Sequence, residues 1–211
     1  MPDRRIFLLR HGETVWNREG RMQGWRDSPL TLKGIAQARA YGTRLRALLG
    51  PGLPGYRLVS SPLGRAWQTA TVIAEICGVD PRRIEHDPLL REISWGAWDG
   101  LTAEEIAARD PERWRQRLRT RFADPPPDGG ESPGQLYDRA RRWLAALPPG
   151  ARVVAVAHGG LGRVLRAAYL GLPLAASYEL DQPQDAFYRL AGGRVERIEV
   201  EEAAAASPSR R

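Results

Sequence analysis

Arg5-Ile6-Phe7-Leu8-Leu9-Arg10-His11-Gly12-Glu13-Thr14 places four consecutive apolar residues between charged neighbours. A short apolar run bounded in this way predicts a buried strand over Arg5–Leu9. Arg10 and His11 stand side by side straight after it, where they are poor core residues, and Gly12 lets backbone approach a ligand closely. The pattern returns near the other end. Ala151–Ala157 (Ala-Arg-Val-Val-Ala-Val-Ala) reads as the clearest buried strand and runs into His158-Gly159-Gly160, then a helix to about Leu170. His158 and the Gly159 amide would face one pocket with His11.

A third motif lies between these two. Tyr56–Ser60 reads as a strand, and Ser61-Pro62 as a helix start with Ser61 the cap and Pro62 in the first turn. That helix runs to about Cys77 and carries Arg65 in its first turn. Free amides, the positive end of the helix dipole and a guanidinium together make a natural phosphate site. Three polar motifs thus sit where strands end and helices begin, the edge at which open α/β sheets bind ligands.

The intervening chain supplies the remaining elements. Arg10–Pro29 reads as a long functional loop, and Thr31 caps a helix to about Leu49. Gly50–Gly55 is a turn and Arg83–His86 a weak third strand. Asp110-Pro111 and Ser132-Pro133 start helices, the second ending near Leu147. Phe187–Leu190 and Val195–Val200 form a hairpin about Gly192-Gly193. The alternation predicts an α/β fold, a three-layer α/β/α sandwich with a mainly parallel central sheet. At 211 residues the chain fits a single domain, residues 1–202, with residues 101–131 an insertion over the site and 203–211 a disordered tail.

Composition narrows the chemistry. Cys77 is the only cysteine, which excludes an intramolecular disulfide, and three dispersed histidines are too few for a zinc site. Cys77 is expected as a packed thiol and His86 as structural. The net charge of +7 comes from arginines scattered among acids, with Lys33 the only lysine, so no nucleic-acid face is expected. No signal core or membrane span is visible, and the cytoplasm is the expected location. There is no G-x-S-x-G elbow and no Walker A sequence.

Arg10-His11-Gly12-Glu13-Thr14, with Asn17, Gly20-Arg21, Gln23-Gly24, Asp27, Pro29-Leu30-Thr31, Gly34 and Gln37-Ala38, resembles the opening signature of the histidine phosphatase superfamily, phosphoglycerate mutase-like branch. Ser60-Ser61-Pro62 with Arg65-Ala66 and Gln68-Thr69-Ala70 resembles the family's second block. Leu90-Arg91-Glu92-Ile93 with Gly96, Trp98 and Asp99-Gly100 resembles its acid block, and His158-Gly159-Gly160 its last. The resemblance spans about residues 5–170 in the family's order.

It implies that His11 attacks phosphorus as a neutral imidazole, giving a phosphohistidine that water hydrolyses. Arg10, Arg65, His158 and the Gly159 amide would hold the phosphoryl oxygens in place of a metal ion. Asn17 is expected to contact the phosphoryl group, with Thr14, Gln23 and Gly24 lining the substrate pocket. Glu92 would protonate the leaving oxygen and later deprotonate water, with Glu13 the competing acid. A ligand role for Glu131 is the lesser reading, and Ser132 is expected as a helix cap.

The resemblance implies no cofactor, a small anionic phosphate ester as substrate and, as relatives often dimerise, a homodimer. The stretch Ile93-Ser94-Trp95-Gly96-Ala97-Trp98 follows the style of the broad phosphatases rather than the mutases. The expected activity is that of a histidine acid-type phosphatase, a phosphoric monoester hydrolase. The alternatives are a 2,3-bisphosphoglycerate-dependent phosphoglycerate mutase and an inactive phospho-ligand-binding module. The insertion adds Trp114 and Arg113, Arg115, Arg117, Arg119 and Arg121, of which at most half can face the pocket together.

Overall fold

The computed structural model describes residues 4–120 and 125–200. Strand β1 (Arg5–Arg10) pairs in parallel with β4 (Arg152–Ala157). Their register runs from Arg5 opposite Arg152 to Arg10 opposite Ala157, so both strands end at the same level. His11 and His158 therefore leave the sheet side by side. β2 (Arg57–Ser60) flanks β4 with Ser60 opposite Val156, bringing Ser61 to the same edge.

The sheet is completed by β3 (Glu85–His86), parallel to β2, and by β5 (Ala186–Ala191) and β6 (Arg194–Glu199). The order is β3-β2-β4-β1-β5-β6, the first four parallel, with β5 antiparallel to β1 and β6 antiparallel to β5. The final hairpin turns on Gly192 and Gly193, whose φ values of 56° and 73° suit two positive-φ positions in a row.

Alternation along the buried strands feeds two cores. Phe7, Leu9, Val154 and Val156 pack on one face with α2 (Leu32–Leu49) and α3 (Gly64–Cys77). Ile6, Leu8, Val153 and Ala155 pack on the other with α6 (Pro133–Ala146) and α7 (Gly159–Tyr169). The expected three-layer sandwich with a mainly parallel sheet is thus the observed fold. Cys77 lies in the first core, its thiol against the Gly42 carbonyl, and burial pushes its pKa up to about 11.

Several caps follow the sequence reading. Thr31 accepts from the Gly34 amide at the start of α2. Ser132 and Gln135 form a reciprocal capping box at α6.

Three readings need correction. The loop Arg10–Pro29 contains a four-residue helix, α1 (Val15–Arg18), because Thr14 and Asn17 cap each other reciprocally. α3 begins at Gly64 rather than at Ser61-Pro62. The buried Ser61 hydroxyl is bonded to His158, and the carboxylate of Asp27 takes the Gly64 and Arg65 amides instead. The third strand shrinks to Glu85–His86, since Pro81–Arg83 forms a 3-10 turn capped by Asp80. His86 is exposed there and meets the Trp67 ring edge-on, at 5.7 Å.

Residues 101–131, expected as an insertion, carry α4 (Ala103–Arg109) and α5 (Pro111–Arg119). They lean on the stretch after Glu92. Trp114 meets Trp98 edge-on at 5.9 Å, and the Arg117 guanidinium lies 4.8 Å from the Trp95 ring centre. Arg121 and the tail 203–211 fall outside the described residues. Among the described residues no helix is long and apolar enough to cross a membrane.

Candidate active site

His11 is 3% exposed, and its Nδ1–H donates to its neighbour's carbonyl, Gly12 O, at 2.8 Å. A carbonyl can only accept, so the proton sits on Nδ1 and Nε2 keeps its lone pair. Nε2 in turn faces Arg65, whose Nε–H points at it over 3.3 Å. Burial lowers the His11 pKa well below the usual value, and Arg65 and Arg10 lower it further. The imidazole is therefore neutral near pH 7, with Nε2 held facing Arg65.

Arg65 is held on every side. Its side chain is 1% exposed. Nη1 donates to Arg26 O at 2.7 Å and to Asp27 Oδ1 at 2.9 Å, and Nη2 donates to Gly24 O at 2.8 Å. Gly24 has φ +53°, and a Cβ there would lie 1.6 Å from Asp99 Oδ1. The Asp99 carboxylate braces that turn by accepting from the Trp25 amide at 3.0 Å. Burial raises the Asp99 pKa, with the Trp25 and Trp95 amides opposing.

The second histidine and first arginine complete the edge. The rings of His11 and His158 meet edge-on at 5.3 Å, and His158 Nε2 bonds Ser61 Oγ at 2.8 Å. Burial, then Arg65, lowers the His158 pKa well below the usual value. Arg10 Nη1 donates to Gln182 O at 2.6 Å. Arg10 Nε and His158 Nδ1 are buried without a protein partner, and both residues border a cavity of about 20 Å³, room for one water. Burial lowers the pKa of Arg10 and of Arg65, and Glu92 opposes this in both. Both guanidiniums therefore sense the same carboxylate.

Glu92 sits on the N-terminus of α7. Its Oε2 accepts from Gly160 N, and Oε1 from Leu161 N and Ile93 N, each at 2.9 Å. A Cβ on Gly160 would come within 2.7 Å of Oε1, so glycine is needed for this approach. Glu92 takes the next two amides, and the Gly159 amide stands first at this helix start. Glu13, the competing acid, turns to α2, accepting from the Thr31 hydroxyl at 2.8 Å and lying 3.6 Å from Lys33 Nζ.

The structure thus brings together His11, Arg10, Arg65, Glu92, His158 and Gly159. Thr14 is fully buried, and it and Asn17 spend their facing oxygens on each other's amides, both at 3.1 Å. Gln23 is buried with its side-chain oxygen unpartnered. Gly24 acts on Arg65 through its carbonyl.

Sequence reasoning gave no role to Asp27, Asp99, Arg139, Arg163 or Gln184, and read Ser61 only as a helix cap. Gln184 donates to His11 O at 3.0 Å. Arg163, on α7, is lowered in pKa by burial with Glu92 opposing. The presence of Asp27 and Asp99 in the signature blocks was the available signal, but nothing in one chain said what they hold. Glu131 is bonded to Arg139 through both oxygens, at 2.8 and 2.6 Å.

A cavity of about 860 Å³ lies away from this edge, beside α6 and α7, and is lined by Arg4, Tyr137, Arg141 and Tyr169 among others. No described group of three or more His, Cys, Asp or Glu residues could hold a metal.

Comparison with known proteins agrees with the geometry. The profile of the histidine phosphatase superfamily (branch 1) matches residues 6–202. A Salmonella paratyphi B protein named "Probable phosphoglycerate mutase GpmB" is 40% identical over 205 residues, covering 93% of this chain and 85% of its own. A mycobacterial glucosyl-3-phosphoglycerate phosphatase, solved in complex with VO3, is 34% identical with a TM-score of 0.72, over 93% of this chain and 97% of that one. The α-ribazole phosphatase of Shigella flexneri shares the fold at TM-score 0.79 and 22% identity, over 96% and 99% of the two chains. The chain belongs to the histidine phosphatase superfamily, branch 1.

Proposed function

We propose that this member of the superfamily is a metal-independent phosphatase that hydrolyses a small anionic phosphate monoester through a phosphohistidine on His11. The observation that carries the reading is the His11 geometry. Nδ1–H is fixed on Gly12 O, and Nε2 is unprotonated and faces the Arg65 guanidinium.

In the first half-reaction the Nε2 lone pair forms the bond to phosphorus while the ester P–O bond breaks. The electron pair leaves with the alkoxide oxygen, which takes a proton from Glu92. Oε2 accepts a single amide and keeps a lone pair for that proton. In the second, water attacks phosphorus, its proton passes to Glu92, and the P–N bond breaks to restore neutral His11. Arg10, Arg65, His158 and the Gly159 amide hold the phosphoryl oxygens, joined by Asn17. Thr14 and Gln23 line the substrate side, and Gly24 serves it through Arg65.

A second reading is phosphoryl exchange between bisphosphoglycerate and phosphoglycerate. It has in its favour the name of the Salmonella relative at 40% identity. The phosphatase reading has in its favour the neighbour named glucosyl-3-phosphoglycerate phosphatase and the short stretch after Glu92. An inactive phospho-ligand binder would need Glu92 only to cap the α7 amides and would form no phosphohistidine.

Labelling with a phosphorylated substrate, quenched in alkaline detergent, tests the chemistry. The chain is expected to give an acid-labile phosphohistidine that His11→Ala abolishes; no label would overturn the reading. With a good leaving group, Glu92→Gln keeps the label and loses turnover, while unchanged turnover removes Glu92 from its role. Hydrolysis is expected to survive EDTA. On 3-phosphoglycerate with a trace of bisphosphate, isomerisation outpacing phosphate release would decide for the mutase.

A further inference from the structure

We propose that Arg139, far along the chain on α6, is the residue that positions Glu92 for acid–base work, a role that rests on the reading of Glu92 above. Arg91–Trp95 runs without helix or strand, so its buried carbonyls need partners from elsewhere. The Arg139 guanidinium supplies those of Arg91 and Glu92, and the Trp25 indole Nε1–H shares Glu92 O at 2.9 Å. Arg139 Nη1 donates to Leu89 O at 2.8 Å and Arg91 O at 2.6 Å, and Nη2 donates to Glu92 O at 3.1 Å.

The opposite side of the same fork is clamped by Glu131, Nε to Oε1 at 2.8 Å and Nη2 to Oε2 at 2.6 Å. Both side chains are largely buried, at 8% and 14% exposure. Glu131 is itself tied to the acid stretch, its amide donating to Ser94 O at 2.9 Å. Arg139 therefore fixes the backbone of Glu92, while the α7 amides fix its carboxylate. All five Arg139 donors are spent on Leu89, Arg91, Glu92 and Glu131, so its hydrogen bonds reach the site through Glu92, while its charge is a lesser contributor to the lowered His158 pKa. A planar five-donor fork is required, because a lysine ammonium in its place would reach the carboxylate or one carbonyl but not all of them.

A positioning role and a merely structural one predict different patterns across leaving groups. An acid matters when the leaving oxygen is basic, as in an alkyl phosphate, and little when it is p-nitrophenolate. The measurement is kcat/KM of the full chain on glycerol phosphate and on p-nitrophenyl phosphate, since kcat/KM reports the step that forms the phosphohistidine. Arg139→Lys is expected to lose about 10- to 100-fold on the alkyl ester and less than about threefold on the aryl ester. Glu131→Gln, which keeps an acceptor for the fork, is expected to show the same pattern more weakly.

Equal losses on the two esters, or no loss on either, would overturn the proposal. Should Arg139→Lys fail to fold, Glu131→Gln carries the same comparison and decides it. Glu92→Gln serves as the reference. If it shows no leaving-group dependence, the acid assignment itself fails. If it does and the Arg139 and Glu131 variants do not, only the positioning role fails.

Discussion

Arg65, at the end of the sheet, is 1% exposed and contacts four different acceptor groups, whereas Arg113, Arg115 and Arg119 on α5 stand in solvent. Arg113 reaches Asp110 only at 3.9 Å, and Arg115 turns back to Pro111 O in its own helix. The same residue type is thus used in opposite ways. At the sheet edge the guanidinium is fixed before any ligand arrives, so no ordering cost falls on the transition state. On α5 the side chains keep their freedom and are screened by water, so each is worth little to a bound anion. Charge count is a poor guide to an anion site, and the neighbours that hold each charge are a better one.

The largest expected effect comes from loosening the fixed arginine without touching it. Asp27→Ala removes both the Arg65 ion pair and the acceptor for the first amides of α3. kcat/KM is expected to fall by about 100-fold, the scale of a small misplacement of a catalytic group. The thermal midpoint should drop by only a few degrees, as for a lost cap. A loss below about threefold would show that Arg65 is placed by other bonds, and the comparison would break.

Next comes acid sensitivity of the fold. His11 and His158 are both buried and lowered in pKa, so between their native values and the usual value of about 6.5 the unfolded chain binds more protons than the native one. Stability is full above about pH 6.5 and is lost as pH falls below it, each histidine adding a slope of up to ~1.4 kcal/mol per pH unit. Urea midpoints between pH 8 and pH 5 measure this. His158→Asn should flatten the curve, and an unchanged curve would mean that His158 is not held neutral.

The smallest effect belongs to the insertion. Arg113→Ala with Arg115→Ala is expected to leave kcat within about threefold, with any change confined to KM. A fall in kcat as large as that of Asp27→Ala would place these exposed arginines in the transition state and erase the contrast.

What could be read from the chain varied with range. The strand Arg5–Leu9, the strand before His158 and the caps Thr31 and Ser132 were legible because apolar runs and cap residues act over a few positions. Ser61 misled for the opposite reason. Serine before proline is a local cap signal, but here a bond to His158, 97 positions away, outweighs it. Asp27 then caps α3 from 37 positions upstream. Arg139 drew no reading at all, since its three carbonyl partners lie 47 to 50 residues before it.

The sequence by itself determined that two histidines and two arginines stand at strand ends and helix starts, because hydrophobic patterning and turn chemistry are local. The tertiary structure alone decided how they serve. The β1–β4 register sets the histidines side by side, burial holds both neutral, Asp27 and the Gly24 carbonyl aim Arg65, and the α7 amides hold Glu92. Orientation and protonation depend on desolvation and on partners brought in from distant segments, and neither exists until the chain has closed around them.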